Sequence, residues 1–165
     1  STSYTPGTIL PFFFANELAG DTYGAELSAS YRLLEAWSVK LGYDFLKEHL
    51  HIKAGGYDLN DALNETADPE HQFSLRSQAN LTAQLDFDAV LRWVDTLHIN
   101  NGAVLGTVPA YFELDSRLAW HATRGLELSL VGQNLLHARH PEYGFPSPFR
   151  EEIVRSVYGK VAWHF

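Results

Sequence analysis

The sequence predicts an all-β fold, an antiparallel barrel of about eight strands, with residues 1–165 forming a single domain. Three observations predict it. Apolar and polar residues alternate with period two through most of the chain, as they do along strands whose two faces meet different surroundings. Short links near 34–36, 82–84 and 122–125 alternate with links at 17–21, 50–70, 100–108 and 139–151, most of them long. The last segment, IVRSVYGKVAWHF, keeps the alternation to its end at Phe165.

The elements follow in order. The apolar run of residues 8–16, with Pro11 inside it, reads as a first strand with an edge or bulge at the proline. Along 22–34, Tyr23, Ala25, Leu27, Ala29, Tyr31 and Leu33 alternate with Gly24, Glu26, Ser28, Ser30 and Arg32. After a tight link, Trp37, Val39, Leu41, Tyr43 and Phe45 alternate with Ser38, Lys40, Gly42 and Asp44. LLEAWSVKLGYDFLKEHL also partly fits a helical period. Strands are preferred because the alternation runs almost unbroken through both sides of one turn, and Gly42 with Tyr43 weakens a helix.

Residues 51–70 are polar and rich in Gly, Asn and Asp, the longest loop. Unstructured stretches of that length are usually functional or disordered. Strands then follow at 73–81, at 85–93 with the pattern fading towards Ile99, at 112–120 and from Leu126 on, and the closing strand completes the set. NNGAVLGTVP and residues 139–151 read as loops, and Gly132-Gln133-Asn134 as a bulge or tight local twist.

Alternation alone does not say which solvent the apolar face meets. A small soluble barrel would turn it inward; a membrane barrel turns it to lipid and lines its lumen with the charges. Three features favour lipid. The predicted strands are longer than the five or six residues usual in globular sheets. Trp37, Trp120, Trp163 and Phe165 sit near the short-turn ends of the apolar faces, as in an interfacial girdle. The polar face mixes both signs of charge. The expectation is therefore a transmembrane β-barrel with short periplasmic turns and long extracellular loops. An even strand count places both termini on the periplasmic side. Leu41, Leu91, Trp120, Val161, Trp163 and Phe165 then face lipid, and Arg32, Lys40, Arg76, Arg92, Glu113, Asp115, Arg117 and Glu127 face the lumen. Arg155 shares the apolar parity of the last strand, but it reaches the far interface, where it snorkels.

Composition excludes other classes. The net charge of −8 argues against a nucleic-acid partner, and the absence of cysteine rules out disulfides and thiolate chemistry. No apolar run is long enough for a spanning helix. No phosphate loop, nucleophile motif or HExxH appears, so no enzyme is expected and no cofactor is implied. Asp86, Asp88, Arg92, Glu113, Asp115 and Arg117 read as lumenal ion pairs rather than a catalytic cluster. Six of the eight histidines fall at the long-loop end; His49 and His51 share one strand face and are the candidate metal ligands, against the plainer reading that polar loop ends simply include histidine.

With these residues in view, the chain resembles the C-terminal part of the barrel of TonB-dependent outer-membrane receptors. FANELAGDTYGAELSASY is similar to the family's Asn-spacer-Gly-x-Glu signature. LGYDFLKEHL resembles the strand that rises into a long outer loop, LELSLVGQNLLHARHPEYG the penultimate-strand pattern, and VYGKVAWHF the terminal strand. The resemblance covers roughly residues 12–165. It implies a receptor for an iron-siderophore, haem or similar nutrient in the outer membrane of a Gram-negative bacterium. It also implies that outer-membrane lipid is a partner, and that the barrel-assembly machinery reads the strand ending at Phe165. Family members have barrels of about 22 strands filled by a plug; nothing here resembles the plug. The chain is therefore expected to be a receptor fragment that needs partner strands, or a short relative. The alternative is a stand-alone eight-stranded barrel with a structural or binding role, closed on itself. Ser1 in place of Met fits a mature product or a piece of a longer chain.

Overall fold

The computed structural model describes residues 15–58, 62, 68–100, 105–144 and 146–164. The predicted strand at 8–16 and the terminal Phe165 lie, wholly or nearly so, outside the described residues. Among the described residues eleven strands are formed: β1 (Leu18–Leu34), β2 (Trp37–Ile52), β3 (His71–Thr82), β4 (Leu85–Val94), β5 (Leu97–Asn100), β6 (Leu105–Val108), β7 (Tyr111–Thr123), β8 (Leu126–Gln133), β9 (Arg139–His140), β10 (Ile153–Val154) and β11 (Ser156–Trp163). The helical alternative across 22–50 is overturned: that stretch is β1, a two-residue turn and β2, and no helix occurs among the described residues.

Seven strands make one antiparallel sheet in the order β1-β2-β3-β4-β7-β8-β11. Every neighbour in that order is also the next long strand in the chain, so the sheet is a meander without crossovers. The sheet is open among the described residues, with β1 and β11 as its edges. Turns at 35–36, 83–84 and 124–125 close the hairpins at one end, as the link lengths predict. Each turn is entered through a register shift, between Arg32 and Leu34, Asn80 and Thr82, and His121 and Thr123. Such bulges raise the local twist where the strands must turn back.

At the other end the links carry structure of their own. The segment expected as a loop at 100–108 holds the second arm of the β5–β6 hairpin, in which Leu97 pairs with Val108. Val94, Leu97 and Val108 are among the few buried apolar side chains of the described residues, and Val108 is fully buried. Residues 139–154 contain the β9–β10 ladder, in which Ile153 pairs with His140 and Val154 with Arg139. Before β3, the Lys47 ammonium binds the Glu70 carboxylate and Leu46 donates its amide to the Glu70 carbonyl at 3.0 Å. The hydrogen bond from Lys47 holds the Glu70 carboxyl below its ordinary range.

Register sorts the side chains. Residues directly opposite across an antiparallel pair point the same way. The row Ala29, Leu41, Leu75, Leu91 and Leu114 crosses five strands on one face. The row Leu85, Trp120, Leu128 and Val161 continues it. On the other face run Ser30, Lys40, Arg76, Val90 and Asp115, and then Gln78, Asp88, Arg117 and Val131. One residue of slip in any pair would exchange the two faces.

Gly24 marks a close approach between β1 and β2: a Cβ there would run into the Phe45 carbonyl oxygen. Gly24→Val should therefore open the longest ladder of the sheet. The expected loss is about 1–3 kcal/mol, the usual range for overpacking, read as a lower urea midpoint for unfolding from detergent.

Candidate functional site

The polar face gathers its charges into two groups. Near the turn end, Arg117 of β7 lies between two carboxylates, with Nη1 3.1 Å from Asp88 on β4 and Nη2 2.6 Å from Glu127 on β8. His121 places Nε2 2.7 Å from Asp86 and Nδ1 3.9 Å from Glu127. The strands set this geometry. Asp88 faces Arg117 directly and His121 faces Glu127 in the ladders, so each base meets an acid without long side chains having to search for one.

Towards the loop end a second group forms around Glu113, whose side chain is completely buried. The chain makes it possible by leaving the sheet at Asn134. This residue takes a left-handed backbone, φ 53°, which asparagine tolerates better than most residues. The expected irregularity at 132–134 is thus the end of β8. Leu135 turns back over Gly132, where a Cβ would meet the Leu135 Cδ2 at 2.8 Å. The segment that follows lies along β7. Leu135 donates its amide to the Leu114 carbonyl at 2.9 Å, Asn134 to Asp115 Oδ1 at 2.9 Å and Leu136 to Glu113 Oε2 at 3.2 Å.

Two imidazoles then converge on Glu113. His137 Nδ1 is 2.6 Å from Oε1, and His140 Nδ1 is 3.0 Å from the same oxygen. His140 is held at Nε2 by Glu142, also 3.0 Å away, and its ring lies 4.8 Å from that of Tyr111. Arg92 closes the group, donating to Asn134 Oδ1 at 2.7 Å and to Glu142 Oε1 at 3.5 Å. Glu113, His137 and His140 each offer one ligand atom within 4.8 Å of the others, the grouping among the described residues with metal-ligand chemistry.

Of the predicted lumenal set, Arg92, Glu113, Asp115, Arg117 and Glu127 are brought into these networks, while Arg32, Lys40 and Arg76 lie exposed on the same face. Leu41, Leu91, Trp120, Val161 and Trp163 all lie on the opposite face. His49 and His51 stand exposed on β2 opposite Asp21 and Ala19, and His49 meets Tyr23 edge-on. The sequence missed His137 and His140 because their partner is 24 residues or more away and their own segment is irregular. The available signal was the Gly-Gln-Asn break followed by HARH.

No family model matches the sequence. The chain is 30% identical over 118 residues to the catecholate siderophore receptor Fiu of Escherichia coli K12, a match covering 68% of this chain and 15% of that receptor. The chain thus spans less than a quarter of the relatives it matches. Among solved structures, the closed form of that same receptor superposes with a TM-score of 0.67 at 27% identity, over 88% of this chain and 21% of the receptor. The siderophore receptor PiuA of Acinetobacter baumannii has the same fold, with a TM-score of 0.68 at 19% identity over 88% of this chain and 22% of that one. So does the ferric yersiniabactin uptake receptor FyuA of Yersinia pestis, with a TM-score of 0.65 at 21% identity over 91% and 24%.

A double-mutant cycle on Arg117→Gln and Glu127→Gln tests the charged wall. The pair is partly exposed, so its coupling energy should be about 1 kcal/mol. Arg117→Gln alone should cost more, because it leaves two carboxylates facing each other. Urea unfolding of the four proteins measures both quantities.

Proposed function

Because this chain is similar in sequence and fold to the TonB-dependent outer-membrane receptors, we propose that it forms seven consecutive wall strands of such a receptor's barrel. In this reading it lies in the outer membrane of a Gram-negative bacterium and belongs to a protein that takes up an iron-siderophore, haem or a similar nutrient. Its role is structural and ligand-conducting rather than enzymatic. One observation carries the reading: a single continuous sheet bears an apolar face that no other described layer covers, backed by an ion-paired polar face.

The apolar face supports lipid as its neighbour. Val161 is 68% and Trp163 74% exposed. A contiguous apolar surface of this extent is untenable in water for a monomeric domain. Its height also fits. On β2 the apolar parity runs from Trp37 to Phe45 before meeting Lys47, and on β3 it ends at His71. The ten steps from Trp37 to Lys47 at about 3.3 Å each, tilted near 45°, span roughly 23 Å, close to the ~25 Å apolar band of outer-membrane barrels. Trp37, Trp120 and Trp163 then mark the periplasmic interface, and the upper ends of β1 and β2, with His49 and His51, stand above the membrane.

The two edges support incorporation in a larger barrel. An unpaired strand edge in hydrocarbon leaves amides and carbonyls without partners, at several kcal/mol each. Further receptor strands beside β1 and β11 would satisfy them. The polar face then meets the lumen, where the receptor's plug sits. The end of β11 then falls on the periplasmic side, where it pairs with Leu126 beside the 124–125 turn, while Leu18 at the start of β1 stands at the opposite, loop end; the C-terminal segment that follows β11 presents the signal for the barrel-assembly machinery.

Two experiments test this. Leu41→Arg should destabilise the protein in lipid vesicles by about 2–4 kcal/mol, whereas Gln78→Arg on the polar face should cost under about 1 kcal/mol. Equal costs would sink the lipid assignment. Deleting the gene that carries the chain should abolish growth of an iron-starved strain on a ferric catecholate as sole iron source. Unimpaired growth there, with lost growth on haem, would move the ligand to haem.

A further inference from the structure

We propose that Glu113, His137 and His140 bind a divalent transition-metal ion of the zinc, copper and nickel class. The inference rests on side-chain geometry alone and does not depend on which nutrient the parent receptor carries.

Two features point to a cation. The first is the donor set. Two imidazole nitrogens and one carboxylate oxygen, all within 4.8 Å, have the chemistry that borderline metals prefer. Bond lengths of about 2.0–2.2 Å place tetrahedral donors roughly 3.4 Å apart. A small rotation of the exposed His137 ring would widen its 2.6 Å separation from Glu113 Oε1 to that value, and a slight turn of the Glu113 carboxylate would do the same for the 3.0 Å separation from His140.

The second feature is the orientation of His140, which is 95% buried by its relative exposure of 5%. Its Nε2 reaches Glu142 Oε1, a carboxylate, so Nε2 carries the proton. With a single proton on the ring, the Nδ1 lone pair is aimed at Glu113. Nδ1 has no hydrogen-bond partner, although Glu113 Oε1 is only 3.0 Å away. Two buried lone pairs facing each other repel, and an ion between them reverses the sign of that interaction. The surroundings match a ligand shell. Glu142 fixes the His140 tautomer from behind, as carboxylates do for zinc-bound imidazoles, and Arg92 orients Glu142. The Leu136 amide fixes Glu113 Oε2, leaving Oε1 to the site. Three protein donors leave a position open to water or to a passing ligand.

The competing account is a proton in place of the metal, with His140 doubly protonated and the cluster purely structural. The test uses the full-length protein in detergent, made without a histidine tag and stripped with a chelator. Zn²⁺ is titrated by calorimetry and Co²⁺ by visible absorption. The expected result is one ion per chain, weakened at least tenfold by His137→Ala, by His140→Ala and by Glu113→Gln, and unchanged by the His49→Ala plus His51→Ala double variant. Heat-modifiable migration checks that each variant is folded. If His140→Ala fails that check, His137→Ala decides, since that ring is nearly half exposed. Absence of stoichiometric binding overturns the proposal, and so does binding that survives His137→Ala or disappears only in the His49/His51 variant.

Discussion

Backbone hydrogen bonding is the constraint on which the rest of this structure depends. In hydrocarbon no water is present to satisfy an amide or carbonyl, so a spanning segment must pair every polar group with protein. The meander β1-β2-β3-β4-β7-β8-β11 pairs its five inner strands on both sides with neighbours that are also sequence neighbours, and leaves the outer edges of β1 and β11 open among the described residues. Its ladders are long, up to the 17 residues of β1, and interrupted mainly where the turns require a bulge. Once those ladders exist, side-chain placement has no freedom left. Period two and the register together send Leu41, Leu75, Leu91 and Leu114 to one side, and Lys40, Arg76 and Asp115 to the other.

The polar side therefore has to solve an electrostatic problem set by the backbone. Charges excluded from the apolar face accumulate on one wall, and they are kept there by pairing opposite signs across strands. Arg117 bridges β4 and β8 because Asp88 and Glu127 come from both of its neighbours. Such partly exposed pairs each contribute little to stability. Their effect is instead to make register errors costly, since a slip of one residue would carry Arg117 to the apolar face and separate it from both acids at once.

This division explains what was legible in the sequence. Strand positions and the three short turns were readable because alternation is a local signal repeated over ten or more residues. The helical rival at 22–50 failed for the same reason: Gly42, at the centre of β2, packs its bare face towards Ser74, which a helix would not require. The β5–β6 hairpin was missed because four-residue strands carry too few alternations to stand out from a polar loop. His49 and His51 drew notice because an i, i+2 pair on a strand is visible locally, whereas the cluster around Glu113 joins β7 to an aperiodic segment. No periodicity connects Glu113 with His137 and His140; only the fold brings them together.

The segment after Asn134 shows how closely the charged wall and the fold depend on each other. An irregular chain running beside a sheet is stable only where its backbone polar groups find partners. Here the satisfying groups come largely from the wall itself: Asp115 accepts from the Asn134 amide, Glu113 from the Leu136 amide, and the Leu114 carbonyl from Leu135. On the far side Arg155 donates its amide to the Ala138 carbonyl, and the β9–β10 ladder pins His140. The carboxylates of β7 are thus backbone caps as well as wall charges. Replacing Glu113 or Asp115 with an apolar residue would remove a charge that neighbouring cations could spare. It would also leave an amide of the folded-back segment without a partner, and that segment carries both histidines.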